Sequence, residues 1–115
     1  MLARNQDDHT WNIAFTLWRD GVWRLAPAYD VCWAYRVDSE WVGSHQMTVN
    51  GKRDNFVLAD LLAVAKLILR FDPKPVIAEV ATAVSRWREF AAEAGMTDAQ
   101  LIDQIEQTHR LVPMG

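Results

Sequence analysis

Asp7 and Asn12 stand five positions apart in the order D-x-x-x-x-N, and a further acid, Asp30, follows 18 residues after Asn12. A carboxylate and a carboxamide at that spacing suit phosphoryl transfer. One carboxylate orients an attacking hydroxyl and takes its proton, while the amide oxygen and a second carboxylate are hard ligands for Mg²⁺ on the phosphates. Asp7 fits the first role; Asn12 and Asp30 fit the second. The same residue types also make turns and cap helices, so the chemistry depends on the elements that bring the three together.

Those elements read as a hairpin. Residues 13–17, Ile-Ala-Phe-Thr-Leu, and 22–25, Val-Trp-Arg-Leu, are rich in β-branched, aromatic and aliphatic side chains. Asp20-Gly21 between them predicts a two-residue type I′ turn, because glycine accepts the positive φ it needs. With that turn centre Arg19 faces Val22, Leu17 faces Arg24, Phe15 faces Ala26, Asn12 faces Tyr29, and Trp18 pairs with Trp23. Paired strands run about 5 Å apart, so this register sets Asn12 beside Asp30 at the open end, with Asp7 on the loop before it. Pro27 softens the pairing near that end.

Beyond the hairpin, residues 31–55 read as irregular strand and loop. Asn50-Gly51 gives a second hairpin signal, followed by Lys52 and Arg53. These two cations and His45 face a phosphate or substrate, or else Lys52-Arg53-Asp54 is a solvated turn flank. After residue 55 the pattern turns helical. Leu58, Leu61, Leu62, Ala65 and Leu69 form a stripe that predicts a helix to about Arg70. A second helix runs from Pro75 to Gly95, and a third from a capping box at 97–100 to about His109, ended by Val112-Pro113. Nothing in the three helices looks catalytic.

At 115 residues the chain is one domain or part of one, with half its residues hydrophobic and 23% charged, an ordinary globular composition. Its formal charge of −3 argues against direct nucleic-acid binding, which needs a basic surface. The lone Cys32, between Val31 and Trp33, reads as a buried, inert thiol, and there is no Cys/His cluster for zinc. No signal peptide and no apolar run near the ~20 residues of a membrane span are present, so no membrane association and a cytoplasmic location are expected. Trp11, Trp18, Trp23, Trp33 and Trp41 crowd the first 41 positions. They cover short strands, stack bases, or form a patch that favours association.

Three stretches carry a resemblance: N-Q-D-D-H-T-W-N-I-A-F at 5–15, W-R-L-A-P-A-Y-D-V at 23–31 and H-Q-M-T-V-N-G-K-R-D at 45–54. They look like the C-terminal half of the HipA-type serine/threonine kinases, the toxins of bacterial toxin–antitoxin pairs, and the likeness runs through essentially the whole chain. It implies a kinase-like C-terminal lobe that uses ATP and Mg²⁺ to phosphorylate a serine or threonine hydroxyl on a protein. Asp7 is then the catalytic aspartate, Asn12 a metal ligand, Asp30 the counterpart of the D-F-G aspartate, and His9 the histidine of the family's D-x-H-x-K-N loop, on the cofactor side. The implied partner is a HipB-like helix-turn-helix antitoxin, through which any DNA contact is indirect. Trp11 stands where the family usually has lysine. Only six residues precede Asp7, so the family's N-terminal lobe is expected to be absent and the chain inactive alone.

The fold expected is α+β, a kinase-like C-terminal lobe fragment with catalytic loop and short β-hairpins at 1–55 and a three-helix subdomain at 56–115. The alternative function is a non-catalytic remnant or binding module that docks an antitoxin or a full-length kinase.

Overall fold

Gly21 decides the first turn. Its φ of 77° lies in the left-handed region that a Cβ disfavours. Its N–H donates to the Trp18 carbonyl at 2.9 Å, and the Trp18 N–H donates to the Val22 carbonyl at 3.1 Å. In the computed structural model, which describes residues 1–110, these bonds enclose three residues, Arg19, Asp20 and Gly21. The result is a type I turn closed by a left-handed glycine, not the two-residue I′ turn expected, since Asp20 does not take positive φ. Asp20 instead accepts from the Val22 N–H at 3.0 Å and grips the Arg24 guanidinium with both oxygens, at 3.2 and 2.7 Å. Arg24 in turn lies 4.6 Å from the centre of the Trp18 ring.

The extra loop residue slips the register by one. β1 (Phe15–Leu17) and β2 (Trp23–Leu25) are antiparallel, with Phe15 facing Leu25, Thr16 facing Arg24 and Leu17 facing Trp23. Trp18 therefore does not pair with Trp23, and the expected pairings of Leu17 with Arg24 and Phe15 with Ala26 are replaced. A slip of one also decides which side chains share a face. Phe15, Leu17, Trp23 and Leu25 gather on one side, each more than half exposed.

At the second signal, Asn50 and Gly51 both have positive φ, 52° and 75°, as a I′ turn demands. Val49 and Lys52 exchange backbone hydrogen bonds of 2.8 and 3.0 Å. No ladder grows from this bridge, because the next bond out, from the His45 N–H to the Arg53 carbonyl at 2.9 Å, follows a different register.

The helical half holds four helices among the described residues: α1 (Leu58–Ala65), α2 (Lys74–Ser85), α3 (Trp87–Glu93) and α4 (Ala99–Thr108). α1 stops short of Arg70, which adopts φ 57°, and leaves Leu67 and Leu69 almost fully exposed. The span read as one helix from Pro75 to Gly95 divides at Arg86 (φ −91°, ψ 17°). Thr82 Oγ1 donates to the Ala78 carbonyl and Ser85 Oγ to the Thr82 carbonyl, both at 2.8 Å, and such back-bonding bends a helix. Trp87 Nε1 then donates to the Ile102 carbonyl at 3.1 Å, turning α3 onto α4. Gly95 (φ 74°) closes α3, with Met96 N–H to Ala91 and Gly95 N–H to Ala92. The cap of α4 is Asp98, one residue later than the expected box, accepting from the Leu101 N–H at 3.0 Å. The predicted stop at Val112-Pro113 lies outside the described residues.

Among the described residues the core is small: Leu2, Ala65, Ile77, Ala91 and Ile105 are its buried hydrophobics. The N-terminal segment is fastened across it. Asn5 bridges Ala34 in parallel, with Gln6 N–H to Ala34 O at 3.1 Å and Ala34 N–H to Arg4 O at 3.0 Å. Arg4, itself buried, donates to the Thr108 carbonyl at the end of α4 and lies over the Tyr35 ring at 4.2 Å. Cys32 is exposed rather than buried, and Trp11, Trp18, Trp23 and Trp41 are all exposed. No helix among the described residues is long and apolar enough to cross a membrane.

Candidate functional site

Asp7 follows a pinned bridge segment. Gln6, just before it, is fully buried and accepts from Arg4 Nη1 at 2.8 Å, so the backbone enters the loop from a fixed point. The loop then tightens into a single 3-10 turn, Thr10–Asn12, capped by His9, whose carbonyl accepts from the Asn12 N–H at 3.1 Å. This turn folds Asn12 back, and its Nδ2 donates to the Asp7 carbonyl at 3.0 Å. The bond fixes which way the carboxamide faces. With nitrogen committed to the loop, Oδ1 is the atom left for a ligand.

His9 stands beside Asp7, Nε2 to Oδ1 3.8 Å, and its Nδ1 is buried with no hydrogen-bond partner among the described residues. Asp30 is exposed and adopts φ 54°, a left-handed conformation that aspartate tolerates better than most residues. The expected pairing of Asn12 with Tyr29 does not form as a strand contact, because the hairpin register runs one residue off and its last backbone bond is Ala26 N–H to Ala14 O at 2.9 Å. A side chain replaces it: the Tyr29 hydroxyl donates to the Trp11 carbonyl at 2.5 Å. The residue before Asp30 is thereby tied to the residue before Asn12. Trp11, at 84% exposure, gives the site its carbonyl rather than its ring.

An uncommitted amide oxygen, an exposed carboxylate and a half-exposed one are the oxygen donors that a hard cation with phosphate ligands accepts. No group of three or more His, Cys, Asp or Glu residues among the described residues is placed to hold a metal. A cation held here by the Asn12 carboxamide and the Asp30 carboxylate would therefore take its remaining ligands from substrate or water. A surface hollow of about 720 Å³ is lined by Thr16, Leu17, Trp18, Arg19, Asp20 and Pro27 and includes none of Asp7, His9, Asn12 or Asp30.

Lys52 and Arg53, read as phosphate-facing or as a solvated flank, are both exposed, as a solvated flank requires, and each also holds a contact within the chain. Lys52 Nζ bonds Asp60 Oδ2 at 2.8 Å, and Arg53 Nε bonds the His45 carbonyl at 2.5 Å. Asp60, buried at the start of α1, also accepts from Asn50 Nδ2 at 2.8 Å and the Val57 N–H at 2.9 Å. Led by the Lys52 bond, these contacts hold its carboxyl down to about 2.

Sequence reasoning passed over Asp8 and His45 as partners. His45, buried to 2% exposure, places Nδ1 2.8 Å from Asp8 Oδ2, while the Gln46 N–H donates to Asp8 Oδ1 at 2.7 Å. Burial holds the His45 pKa below its usual value against the pull of Asp8, so near neutral pH the contact is a hydrogen bond from an uncharged ring. The one sequence signal was the Asp7-Asp8 doublet, since along extended backbone two adjacent acids point to opposite sides.

A family model described as HipA-like C-terminal domain matches residues 1–113. No curated protein and no solved structure matches the chain.

Proposed function

The chain belongs to the HipA-like C-terminal domain family, and from that membership we propose that it carries the catalytic loop and metal ligands of an ATP- and Mg²⁺-dependent protein serine/threonine kinase. Asp7 accepts the proton of the attacking hydroxyl and orients it. Asn12 Oδ1 and the Asp30 carboxylate hold Mg²⁺, and His9 stands on the phosphate side. When bound, the cation neutralises charge on the phosphates. The observation that carries the reading is the bond from Asn12 Nδ2 to the Asp7 carbonyl, which presets the spacing between base and ligand. The adenine wall and a phosphate-binding lysine are contributions of the family's N-terminal lobe, outside residues 1–115. The partner proposed is a helix-turn-helix antitoxin of the HipB type, and the setting the cytoplasm.

The test is titration of ATP with Mg²⁺ into wild type and Asp30→Ala, alone and with a HipA-type N-terminal lobe added in trans, together with transfer from labelled ATP. Wild type is expected to bind at least tenfold more tightly than the variant, a difference of about 1.4 kcal/mol. Equal, negligible binding by both under both conditions refutes the assignment.

A second reading is a docking module for an antitoxin or a full-length kinase. It is favoured by the apolar hairpin face of Phe15, Leu17, Trp23 and Leu25. Trp23→Asp separates the two readings: it abolishes docking in this one and leaves Mg²⁺–ATP affinity unchanged in the first.

A further inference from the structure

Asp7 and Asp8 are adjacent in the chain, and their side chains meet different surroundings. Asp7 is 49% exposed, whereas Asp8 is 20% exposed and accepts two hydrogen bonds from the segment 45–46. The receiving end is held at several points. His45 is held through its own N–H to the Arg53 carbonyl and its carbonyl to Arg53 Nε, and its ring meets Phe56 edge-on with centroids 5.1 Å apart. Beyond Arg53, the neighbouring turn is anchored to α1 through Lys52, Asn50 and Asp60. The Asp8 carboxylate thus joins the loop holding Asp7 and Asn12 to a block anchored on α1, across 37 positions of sequence. Asn12 fixes the loop from its far end, at the Asp7 carbonyl.

We infer that Asp8 is a positioning residue for phosphoryl transfer: its clamp on His45 and the Gln46 N–H sets where the Asp7 carboxylate stands, without touching substrate. This rests on the kinase reading above. Displacing a reacting group by about 1 Å can lower turnover about 100-fold while leaving nucleotide binding intact. Asp8→Ala leaves the His45 Nδ1–H and the Gln46 N–H without an acceptor. Asp8→Asn keeps both contacts, its oxygen accepting from Gln46 and its amide donating to the other His45 tautomer.

The experiment measures kcat and KM for Mg²⁺–ATP, with the N-terminal lobe present, for wild type, Asp8→Ala, Asp8→Asn and His45→Leu, well below each melting temperature. Asp8→Ala is expected to lower kcat roughly 10- to 100-fold, with KM for ATP within about twofold of wild type. Asp8→Asn is expected to recover kcat to within about threefold, and His45→Leu, which removes one of the two donors, to fall between. A downfield imidazole N–H resonance of His45, present in wild type, is expected to vanish in Asp8→Ala. If Asp8→Ala does not fold, His45→Leu carries the decision by the same split. Unchanged kcat in the alanine and leucine variants, or kcat and KM moving together, overturns the inference and leaves the kinase reading standing. Absence of transfer by wild type overturns both.

Discussion

Asn12→Asp isolates the bond on which the loop closes. The substitution replaces the amide nitrogen that donates to the Asp7 carbonyl at 3.0 Å with an oxygen that, ionised, cannot donate. Losing one part-buried hydrogen bond costs roughly 0.5–1.5 kcal/mol, and two oxygens brought face to face add repulsion, so about 1–2 kcal/mol is expected near pH 7. With unfolding entropy near 2.1 cal/mol/K per residue, each kcal/mol in a chain this long is worth about 4 °C, giving a Tm lower by roughly 4–8 °C. Protonation restores a donor in the same place. The introduced carboxyl therefore has a folded-state pKa above its unfolded value of about 3.9. The penalty is complete above the folded pKa and disappears as pH falls below the unfolded one. Far-UV circular dichroism melts of both proteins at about pH 7 and about pH 3 read the difference directly, and the gap is expected to shrink by more than half. A gap of equal size at both pH values would show that the amide nitrogen does not hold the loop.

Two further outcomes follow from burial and charge. Asp60, held down to about 2 chiefly by Lys52, has a folded pKa below its unfolded value, so the stability it contributes is present above about pH 4 and lost as pH falls through about 2. Asp60→Asn is expected to flatten that part of the acid dependence of the urea midpoint, and an unchanged slope would contradict the assignment. Ile105→Ala empties a position only 6% exposed and is expected to cost about 2–5 kcal/mol, whereas Leu69→Ala, at 88% exposure, is expected to change stability by less than about 0.5 kcal/mol. Equal Tm shifts for the two would place the core elsewhere.

Sequence alone determined the features whose cause is local. The left-handed glycines at 21, 51 and 95 mark real turns because only glycine enters that region cheaply, and the 3.6-residue periodicity after Leu58 marks real helices. Asp7 and Asn12 were legible as a pair because only four residues separate them and the loop closes on itself. Tertiary structure decided what local rules leave open. An Asp-Gly pair serves a two-residue or a three-residue loop, and the choice made through the Asp20 carboxylate and Arg24 moved every cross-strand partner by one. At the α2–α3 break at Arg86, local back-bonding by Thr82 and Ser85 is joined by a tryptophan bonded to another helix. Asp8 with His45, and Lys52 with Asp60, meet only after the chain has packed. A buried carboxylate or imidazole must find its partner wherever the fold supplies one, and no spacing along the chain announces a contact made across 37 residues.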